Sequence, residues 1–354
     1  MKKIIAMVLS AMMVCSVTAC SSNTTSATTV ANANNTSASE SSASGESVNI
    51  VFGNYGSSSM PPYHADQDAI TYAEEKSNGS LKFEYSADGV LGSEFDMIQQ
   101  VMDGTIQAAI LSAGTFSTYT NLMDCIQLPF LITNYEQEKE VLNSDAAKAI
   151  YEKVGEDLGV KIVSVQENGI RHIANNVRPI NSLSDMKGLK LRIVPSNMLT
   201  EVITNMGASP MSVAYNEVYS ALQNNVVDGE EINLTSIYAL KHYEQLKYVS
   251  IIGMYPFPSF VVYNRDFWNS LSPDQQQILE EGHAQGSENL FNKYLPEYEE
   301  EASAAIKDHA AINTVSDEAR QEFIEVSKPT WDKYYNLDPL IAEFIDTAQK
   351  QPEK

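Results

Sequence analysis

The chain has 354 residues, of which 43% are hydrophobic, and 23 Lys and Arg stand against 46 Asp and Glu, which gives a formal net charge of −23. An acidic chain without a basic patch is not expected to bind nucleic acid. Its length exceeds what one hydrophobic core usually organises, so two lobes are expected.

The N-terminal segment is not expected to belong to the fold. Lys2 and Lys3 precede an apolar run that ends at Val17, which is too short to span a bilayer and is typical of a secretory signal. The signal ends in VTAC, which resembles a bacterial lipobox, so residues 1–19 are predicted to be a lipoprotein signal peptide and Cys20 its lipid-bearing product. The alternative is an ordinary signal with Cys20 as a spare thiol. Residues 20–46 are low in large apolar side chains and predict a flexible tether.

Predicted strands alternate with predicted helices from Val48 onward. Residues 48–52 have the alternation of a strand, residues 66–76 have the spacing of a helix that ends at Asn78-Gly79, and residues 81–85 alternate as a second strand. Strands that are joined through helices favour an α/β lobe with a largely parallel sheet.

One local unit, a helix followed by a tight turn and a strand, occurs twice. The first begins at a predicted capping box, Ser93 to Asp96, and continues into the strand 106–111. The second begins at Asn216, a predicted cap, and its strand ends at Asp228-Gly229. Open α/β sheets bind ligands at the carboxyl ends of their strands, so the residues there are candidates for a site. They are Ser112, Ala113 and Gly114 in the first unit and Gly229, Glu230, Glu231 and Asn233 in the second.

The later elements predict a crossing between lobes and a helical C-terminal part. The strand 160–165 turns at Asn168-Gly169 into residues 170–173, and the crossing is placed there. Ser272 begins a helix that continues to about Ala311, and Pro296 is expected to bend or break it. Residues 317–328 and 339–350 predict two further helices that act as packing elements.

Motifs of exported enzymes are not found. The sequence has no Gly-x-Ser-x-Gly elbow, no His-Glu-x-x-His helix and no phosphate-binding loop with its lysine. Glu230 and Glu231 are neighbours on a strand and are expected to face opposite sides, so they could not flank one bond. Neither an enzyme nor a metal or cofactor site is expected. The histidines, which lack metal-ligand spacing, are His64, His172, His242, His283 and His309.

The stretch LKLRIVP at residues 189–195 places a charge in an apolar strand. Its alternation puts Lys190 and Arg192 on the face opposite Leu189, Leu191 and Ile193. On spacing alone this face is expected to be solvated, because lone charges on strands are usually exposed.

A set of short blocks stands in fixed order in the middle of the chain, with further blocks upstream and downstream. The blocks are NGIRHI (168–173), RPI (178–180), DMKGLKLR (185–192), MGASP (206–210), EVYSALQ (217–223) and VDGEE (227–231), with LGSE (91–94), LPF (128–130) and YEQLKY (243–248) around them. Their order and spacing resemble the solute receptors of tripartite ATP-independent periplasmic (TRAP) transporters, the DctP-type family, and the likeness covers about residues 48–300.

The resemblance implies a two-lobed α/β fold of the periplasmic-binding-protein type II class, with a long helix that crosses both lobes and C-terminal helices. Lobe 1 would comprise residues 47–168, completed by part of 258–310. Lobe 2 would comprise residues 169–257, completed by the C-terminal helices to 354. The lobes would close over a carboxylate ligand, which a sodium-driven membrane permease then receives.

The resemblance also implies the ligand-binding residues. Arg192 matches the arginine that forms a bidentate pair with the ligand carboxylate, and a planar guanidinium suits that pairing. Arg192 is therefore expected to face the cleft instead of bulk water. Arg171 matches a second family arginine, and its alternative is a structural ion pair with Glu167 or Asp185. Tyr215 matches an aromatic position, and its alternative is simple packing.

Three weaker candidates come from the first lobe, and one position departs from the family pattern. Glu94, Ser112 and Thr115 are polar residues that could reach the ligand. The family commonly has Asp-Gly-Gln-Glu followed by Asn, whereas here Ile232 intervenes before Asn233, and a one-residue shift turns a side chain to the other face. Asn233 is thus a ligand candidate whose register is open. Glu230, in place of the usual glutamine, is tolerable if it points away or accepts a ligand hydroxyl.

The expected ligand is a hydroxylated organic acid such as a uronate or an aldonate. A C4-dicarboxylate is the alternative, and it should require a further cationic donor at the far end of the cleft, whereas a sugar acid needs polar partners for its hydroxyls. A different class of function is an envelope sensor or scaffold lipoprotein without a permease partner. The protein is expected to be exported and lipid-anchored at the outer face of the cytoplasmic membrane.

Overall fold

Strands and helices alternate through residues 47–351, which are the residues that this computed structural model describes. The signal segment 1–19, the tether 20–46 and the lipidation site Cys20 lie outside the described residues. Within residues 47–351 no helix has the length and apolar character needed to cross a bilayer.

The described region contains strands, α-helices and a few short helical turns of other types. The strands are β1 (Val48–Asn54), β2 (Leu81–Ser86), β3 (Ala108–Ser112), β4 (Val160–Asn175), β5 (Lys190–Ile193), β6 (Ser209–Ser212), β7 (Gly229–Asn233), β8 (Tyr248–Ile251), β9 (Pro256–Asn264) and β10 (Ala311–Thr314). The α-helices are α1 (Pro61–Lys76), α2 (Glu94–Met102), α3 (Ala113–Phe116), α4 (Tyr135–Leu142), α5 (Asp145–Leu158), α6 (Asn197–Asn205), α7 (Val218–Gln223), α8 (Leu234–Ala239), α9 (Arg265–Ser270), α10 (Pro273–Asn289), α11 (Leu295–Lys307), α12 (Asp317–Tyr335) and α13 (Pro339–Lys350). Short 3-10 helices lie at Leu122–Gln127, Leu183–Met186, Tyr215–Glu217 and His242–Glu244, and a π-helical turn lies at Leu290–Tyr294.

The sheet has two groups of parallel strands with antiparallel strands between them. β1 pairs in parallel with β2 and β3, and β5 pairs in parallel with β6 and β7. β9 runs antiparallel to β3 and β4, and β4 runs antiparallel to β7 and β8. The parallel strands that the sequence predicts are therefore present within each group, whereas the connection between the groups is antiparallel.

Strand β4 belongs to both groups. Its residues 160–170 pair with β9, and its residues 171–175 pair with β7 and β8. The pairing with β9 shifts register between Glu167 and Ile170, where Gly169 has a φ of 122° that a residue with a side chain rarely adopts. The predicted crossing at residues 168 and 169 lies at this shift, and the lobe boundaries stay a prediction.

Some helices begin at the capping residues that the sequence predicts, and others do not. Ser93 and Asp96 form the predicted capping box of α2, and Ser272 begins α10 with a second one. Asn216 does not cap α7, because a 3-10 turn precedes that helix and no side chain caps it. α1 begins at Pro61, five residues before the predicted start at 66. Proline fits the first helical turn, where its missing N–H would be unpaired.

The long helix predicted to begin at Ser272 is continuous through Pro296, so the chain does not break at that proline. α10 passes into a π-helical turn at Leu290–Tyr294 and then into α11, which carries Pro296 in its first turn. A wider π turn just before a proline relieves the clash with the preceding carbonyl. α10 packs on α1, and α11 packs on α8. One helix thus spans both groups of strands.

The first C-terminal helix also continues through a proline. α12 extends to Tyr335 instead of ending near 328, and Pro329 lies inside it on the exposed side. Water can satisfy the carbonyl that the proline leaves free on an exposed face. The two C-terminal helices pack on the core as the sequence predicts, since Phe323, Ile341 and Phe344 are fully buried.

Two buried aspartates are expected to make stability depend on pH. Burial raises the pKa of Asp66 to about 7, against hydrogen bonds from Tyr85, Gln166 and Asn54 that lower it. Burial likewise raises the pKa of Asp124 to about 6. When the pKa of an acid is higher in the folded protein than its unfolded value near 3.9, the protonated acid stabilises the fold fully below pH 3.9. This contribution to the free energy of unfolding is lost as the pH rises through the folded pKa.

We therefore expect the free energy of unfolding to fall by roughly 2–3 kcal/mol between pH 5 and pH 8 on account of Asp66. Urea unfolding at several pH values measures this, and Asp66→Asn should flatten the profile. Asp308→Asn, at an exposed position, is the control and should keep the wild-type slope. An Asp66→Asn profile as steep as the wild type would contradict the assignment.

Candidate functional site

Arg192 lies near the carboxyl end of β5 and is buried, with 1% of its surface exposed. Lys190, two residues earlier on the same strand, is exposed. The solvated position that spacing alone predicts for Arg192 is therefore wrong. Leu191 and Ile193 lie in the core on one face of the strand, and Arg192 on the opposite face lines a cavity with Arg171 instead of contacting bulk water.

The guanidinium of Arg192 is only partly satisfied. Its Nε donates to the carbonyl of Val213 at 3.0 Å, and its Nη1 is buried with no hydrogen-bond partner in the described part of the chain. Burial lowers the pKa of Arg192, and the charge of Arg171 lowers it further. A buried donor without an acceptor costs free energy, and a carboxylate supplies two acceptors in the geometry that a guanidinium presents.

Arg171, on β4, is already engaged by the protein. Its Nε donates to Glu231 Oε1, its Nη2 donates to Glu231 Oε2 at 2.9 Å, and its Nη1 donates to Asn233 Oδ1 at 3.2 Å. The guanidinium also lies over the ring of Phe257, 4.2 Å from its centroid. Burial lowers the pKa of Arg171, but the Glu231 carboxylate outweighs burial, so the pKa is raised.

The ion-pair partners considered from the sequence for Arg171 are not the ones observed. Glu167 accepts hydrogen bonds from the backbone N–H of Gly169 and Phe257, and Asp185 caps the turn after Asn181. Glu231 takes their place because Arg171 pairs with Asn233 in the β4–β7 register, and Glu231 is on the same face of β7.

The alternating faces of β7 show which of Ile232 and Asn233 lies on the Arg171 side of the strand. Glu231 and Asn233 point to the Arg171 side, whereas Ile232 is in the core and Glu230 contacts His242, with 2.8 Å between Oε1 and Nδ1. Glu230 thus lies on the face of β7 opposite Glu231 and Asn233, so its negative charge does not point to the side where a ligand anion is expected. Asn233 donates to the carbonyl of Asn168 and to Thr235 Oγ1, so its amide is already hydrogen-bonded within the protein.

Tyr215 follows β6 and packs edge-on against Tyr55, with 5.7 Å between ring centroids. Its hydroxyl donates to Ser236 Oγ at 3.2 Å. Tyr55 is the first tyrosine after β1, and its hydroxyl lies 3.1 Å from Ser259 Oγ. Burial raises the pKa of both tyrosines, so both hydroxyls stay neutral and can donate.

Glu94, Ser112 and Thr115 form one cluster. Glu94 Oε2 accepts hydrogen bonds from Ser112 Oγ at 2.6 Å and from Thr115 Oγ1, and all three residues are buried. Of the three, Glu94 alone belongs to the wall of the cavity that contains the arginines. The two hydroxyls therefore orient the Glu94 carboxylate.

A single small cavity brings most of these side chains together. The cavity has a volume of about 330 Å³ and is so narrow that it leaves almost no room for a water-sized molecule. An acid of several carbons therefore needs the walls to part before it enters. The lining residues are Tyr55, Gly56, Met60, Glu94, Asn168, Arg171, Arg192, Val194, Tyr215, Ser236 and Phe257.

The structure adds residues that the sequence did not single out. Tyr55, Asn168, Ser236 and Phe257 line the cavity. Glu231 was a candidate only through its place at a strand end, and its pairing with Arg171 was not predicted. Tyr55 could have been found, because it directly follows the end of β1, where open sheets bind ligands. Larger surface grooves exist, such as one of about 1170 Å³ beside α5 and α10, but no arginine lines it.

A sequence profile for a bacterial extracellular solute-binding protein family, family 7, matches residues 52–338. The chain is 28% identical over 306 residues to the C4-dicarboxylate-binding protein DctB of Bacillus subtilis, covering 85% of this chain and 87% of that protein. It is also 28% identical over 279 residues to the 2,3-diketo-L-gulonate-binding periplasmic protein YiaO of Escherichia coli, covering 77% and 82%.

Solved structures share the fold. A TRAP periplasmic solute-binding protein from Sulfitobacter sp. NAS-14.1, with bound β-D-galacturonate, superposes with a TM-score of 0.80 at 25% identity, covering 86% of this chain and all of that one. The two-lobed type II α/β fold with C-terminal helices, which the sequence predicts, is confirmed by this match.

Proposed function

The chain belongs to family 7 of the bacterial extracellular solute-binding proteins, and on that premise we propose that it captures a sugar-acid anion and delivers it to a TRAP permease. The observation that carries the proposal is the buried Arg192, whose Nη1 lacks an acceptor inside the cavity. A ligand carboxylate would supply that acceptor. The structural relative that binds β-D-galacturonate supports this class of ligand.

The charges of the cavity wall favour a hydroxylated acid over a dicarboxylate. The wall contains two arginines, and Arg171 is neutralised by Glu231. That leaves Arg192 as the cation available to one carboxylate. Glu94 also belongs to the wall, where it can accept hydrogen bonds from hydroxyls but would repel a second carboxylate. A C4-dicarboxylate remains the alternative, because the similar protein of Bacillus subtilis binds that class.

Lobe closure provides the mechanism of capture. The ligand would dock on Arg192, and the walls would then close so that water is excluded from the pair. Tyr215 and Tyr55 would cover the ligand body, while Asn168 and Ser236 offer polar contacts for hydroxyls. No bond is made or broken in this sequence of events.

A thermal-shift screen of the purified protein tests the proposal. The panel contains galacturonate, glucuronate, galactonate, succinate, malate, sialate and the neutral sugar galactose. A ligand at 100 times its dissociation constant adds about 2.7 kcal/mol to stability, so a true ligand should stand out. Stabilisation by uronates or aldonates supports the proposal. Stabilisation by succinate or malate alone would favour the dicarboxylate alternative, and stabilisation by galactose alone would overturn the carboxylate argument.

We also propose that the protein is exported and held by lipid on Cys20 at the outer face of the cytoplasmic membrane. The support is the VTAC sequence and the low-complexity tether that follows it. Cys20→Ser should release the protein from the membrane fraction and abolish incorporation of labelled fatty acid. Cys125→Ser, which removes a buried cysteine of the folded region, is the control. Unchanged labelling of Cys20→Ser would contradict the assignment.

A further inference from the structure

Two glutamates, neither of them a candidate ligand contact, face each other below the cavity. Glu138 comes from α4 and Glu167 from β4, and their exposed fractions are 1% and 0%. Their carboxyl groups lie against each other. Both oxygens of Glu138 and Oε2 of Glu167 have no other hydrogen-bond partner among residues 47–351. Two buried carboxylates in contact would repel each other and leave those oxygens unsatisfied.

We propose that Glu138 and Glu167 form a proton-binding site in which one proton is shared between the two carboxyl groups. A protonated Glu138 donates to Glu167 Oε2, so that bond pairs one oxygen of each carboxyl group and leaves the second oxygen of Glu138 uncharged. Glu167 Oε1 accepts the backbone N–H of Gly169 at 2.6 Å and that of Phe257 at 2.9 Å. These donors place the negative charge on Glu167 and the proton on Glu138.

The surroundings of the pair are acidic or neutral. Glu299 of α11, Tyr135 of α4 and Tyr151 of α5 face the two acids. No lysine or arginine forms an ion pair with either carboxyl within the described residues. Burial raises the pKa of Glu138, and the Glu167 carboxylate raises it further. The proton is therefore retained well above the pH at which an exposed glutamate loses it.

The site is connected to the cavity through the backbone. Gly169 lies in the register shift of β4, and Phe257 is at the start of β9. Phe257 and Asn168 line the cavity, and the Asn168 side chain donates to the carbonyl of Phe257 at 2.9 Å. Loss of the proton would set two charges against each other beneath this bulge. The bulge would then loosen at alkaline pH.

Infrared spectroscopy and amide exchange of the ligand-free protein test the inference, so the outcome does not depend on which ligand is bound. The difference between the wild-type and Glu138→Gln infrared spectra at pH 7 should show a protonated-carboxyl band, and the contribution of Asp66, which is the same in both proteins, cancels in that difference. Glutamine donates to Glu167 without carrying a titratable proton. Exchange at the Gly169 and Phe257 amides should rise about tenfold beyond its intrinsic pH dependence as the pair deprotonates, and should stay flat in Glu138→Gln.

Glu140→Gln is the matched control, since Glu140 is an exposed residue of the same helix. It makes the same side-chain substitution and should leave the band and the exchange profile as in the wild type. Glu167→Gln should speed exchange of both amides at every pH, because it weakens their acceptor. A Glu138→Gln protein that keeps the band, or that keeps the wild-type exchange profile, would overturn the inference.

Discussion

Arg192→Ala should weaken the binding of the organic acid by roughly 30-fold to several thousand-fold, because truncation of one partner in a buried charge pair costs about 2–5 kcal/mol. Arg192→Lys should also bind weakly, since one ammonium does not reproduce the two parallel donors of a guanidinium. Isothermal titration measures the affinity of both variants for the acid that the thermal-shift screen identifies. Lys190→Ala, at the exposed residue of the same strand, is the control and should bind as the wild type does.

The stability of the empty protein separates a binding role of Arg192 from a structural one. Arg192 has a buried donor without an acceptor, and burial lowers its pKa, so its charge is costly in the absence of ligand. The ligand-free Arg192→Met protein should therefore unfold at the same urea concentration as the wild type or at a higher one. A clear loss of stability together with unchanged ligand affinity would make Arg192 a structural residue.

Glu231→Gln should lower the free energy of unfolding by about 3–5 kcal/mol, the usual cost of removing one partner from a buried ion pair. Glu231 faces Arg171 with both carboxylate oxygens, and Tyr255 donates to its Oε1 at 2.8 Å. The substitution leaves the Arg171 guanidinium buried without a counter-charge. Urea unfolding measures the loss. Asp157→Asn, which breaks the exposed pair with Lys153, should leave the midpoint essentially unchanged.

A double substitution tests whether the cost of Glu231→Gln comes from the unpaired charge. Arg171→Met combined with Glu231→Met removes both charges, and such replacements are often close to neutral. The double variant should therefore be more stable than Glu231→Gln. If it is less stable, the pair contributes through packing and hydrogen bonds, and the charge argument is wrong.

Local signals in the sequence predicted much of the architecture. The capping boxes at Ser93 and Ser272 depend on residues three apart, so they could be identified directly. The prolines could not be placed as reliably. Pro296 was expected to bend or break its helix, and the helix from residue 317 was predicted to end at 328, but a π turn accommodates Pro296 and an exposed face accommodates Pro329. Those outcomes depend on packing and solvent, which a local pattern does not contain.

In the candidate site, too, residues in local motifs could be predicted, whereas contacts between distant parts of the chain could not. Arg192 and Arg171 could be nominated from the resemblance of their motifs, and both line the cavity. The partner of Arg171 could not be predicted, because Glu231 is 60 residues away and only the β4–β7 register brings the two together. The proton-sharing pair was missed for the same reason, since Glu138 and Glu167 come from different elements.

The near absence of free space in the cavity has a kinetic consequence. Tyr55 and Tyr215 pack against each other where a ligand would lie. The closed, empty protein would therefore have to open before a ligand can bind. The apparent dissociation constant then equals the intrinsic one divided by the fraction of molecules that are open. At high ligand concentration the observed rate of association would reach a plateau set by the opening step. Substitutions that loosen the contact of Tyr55 with Tyr215 would raise that plateau without adding any contact to the ligand.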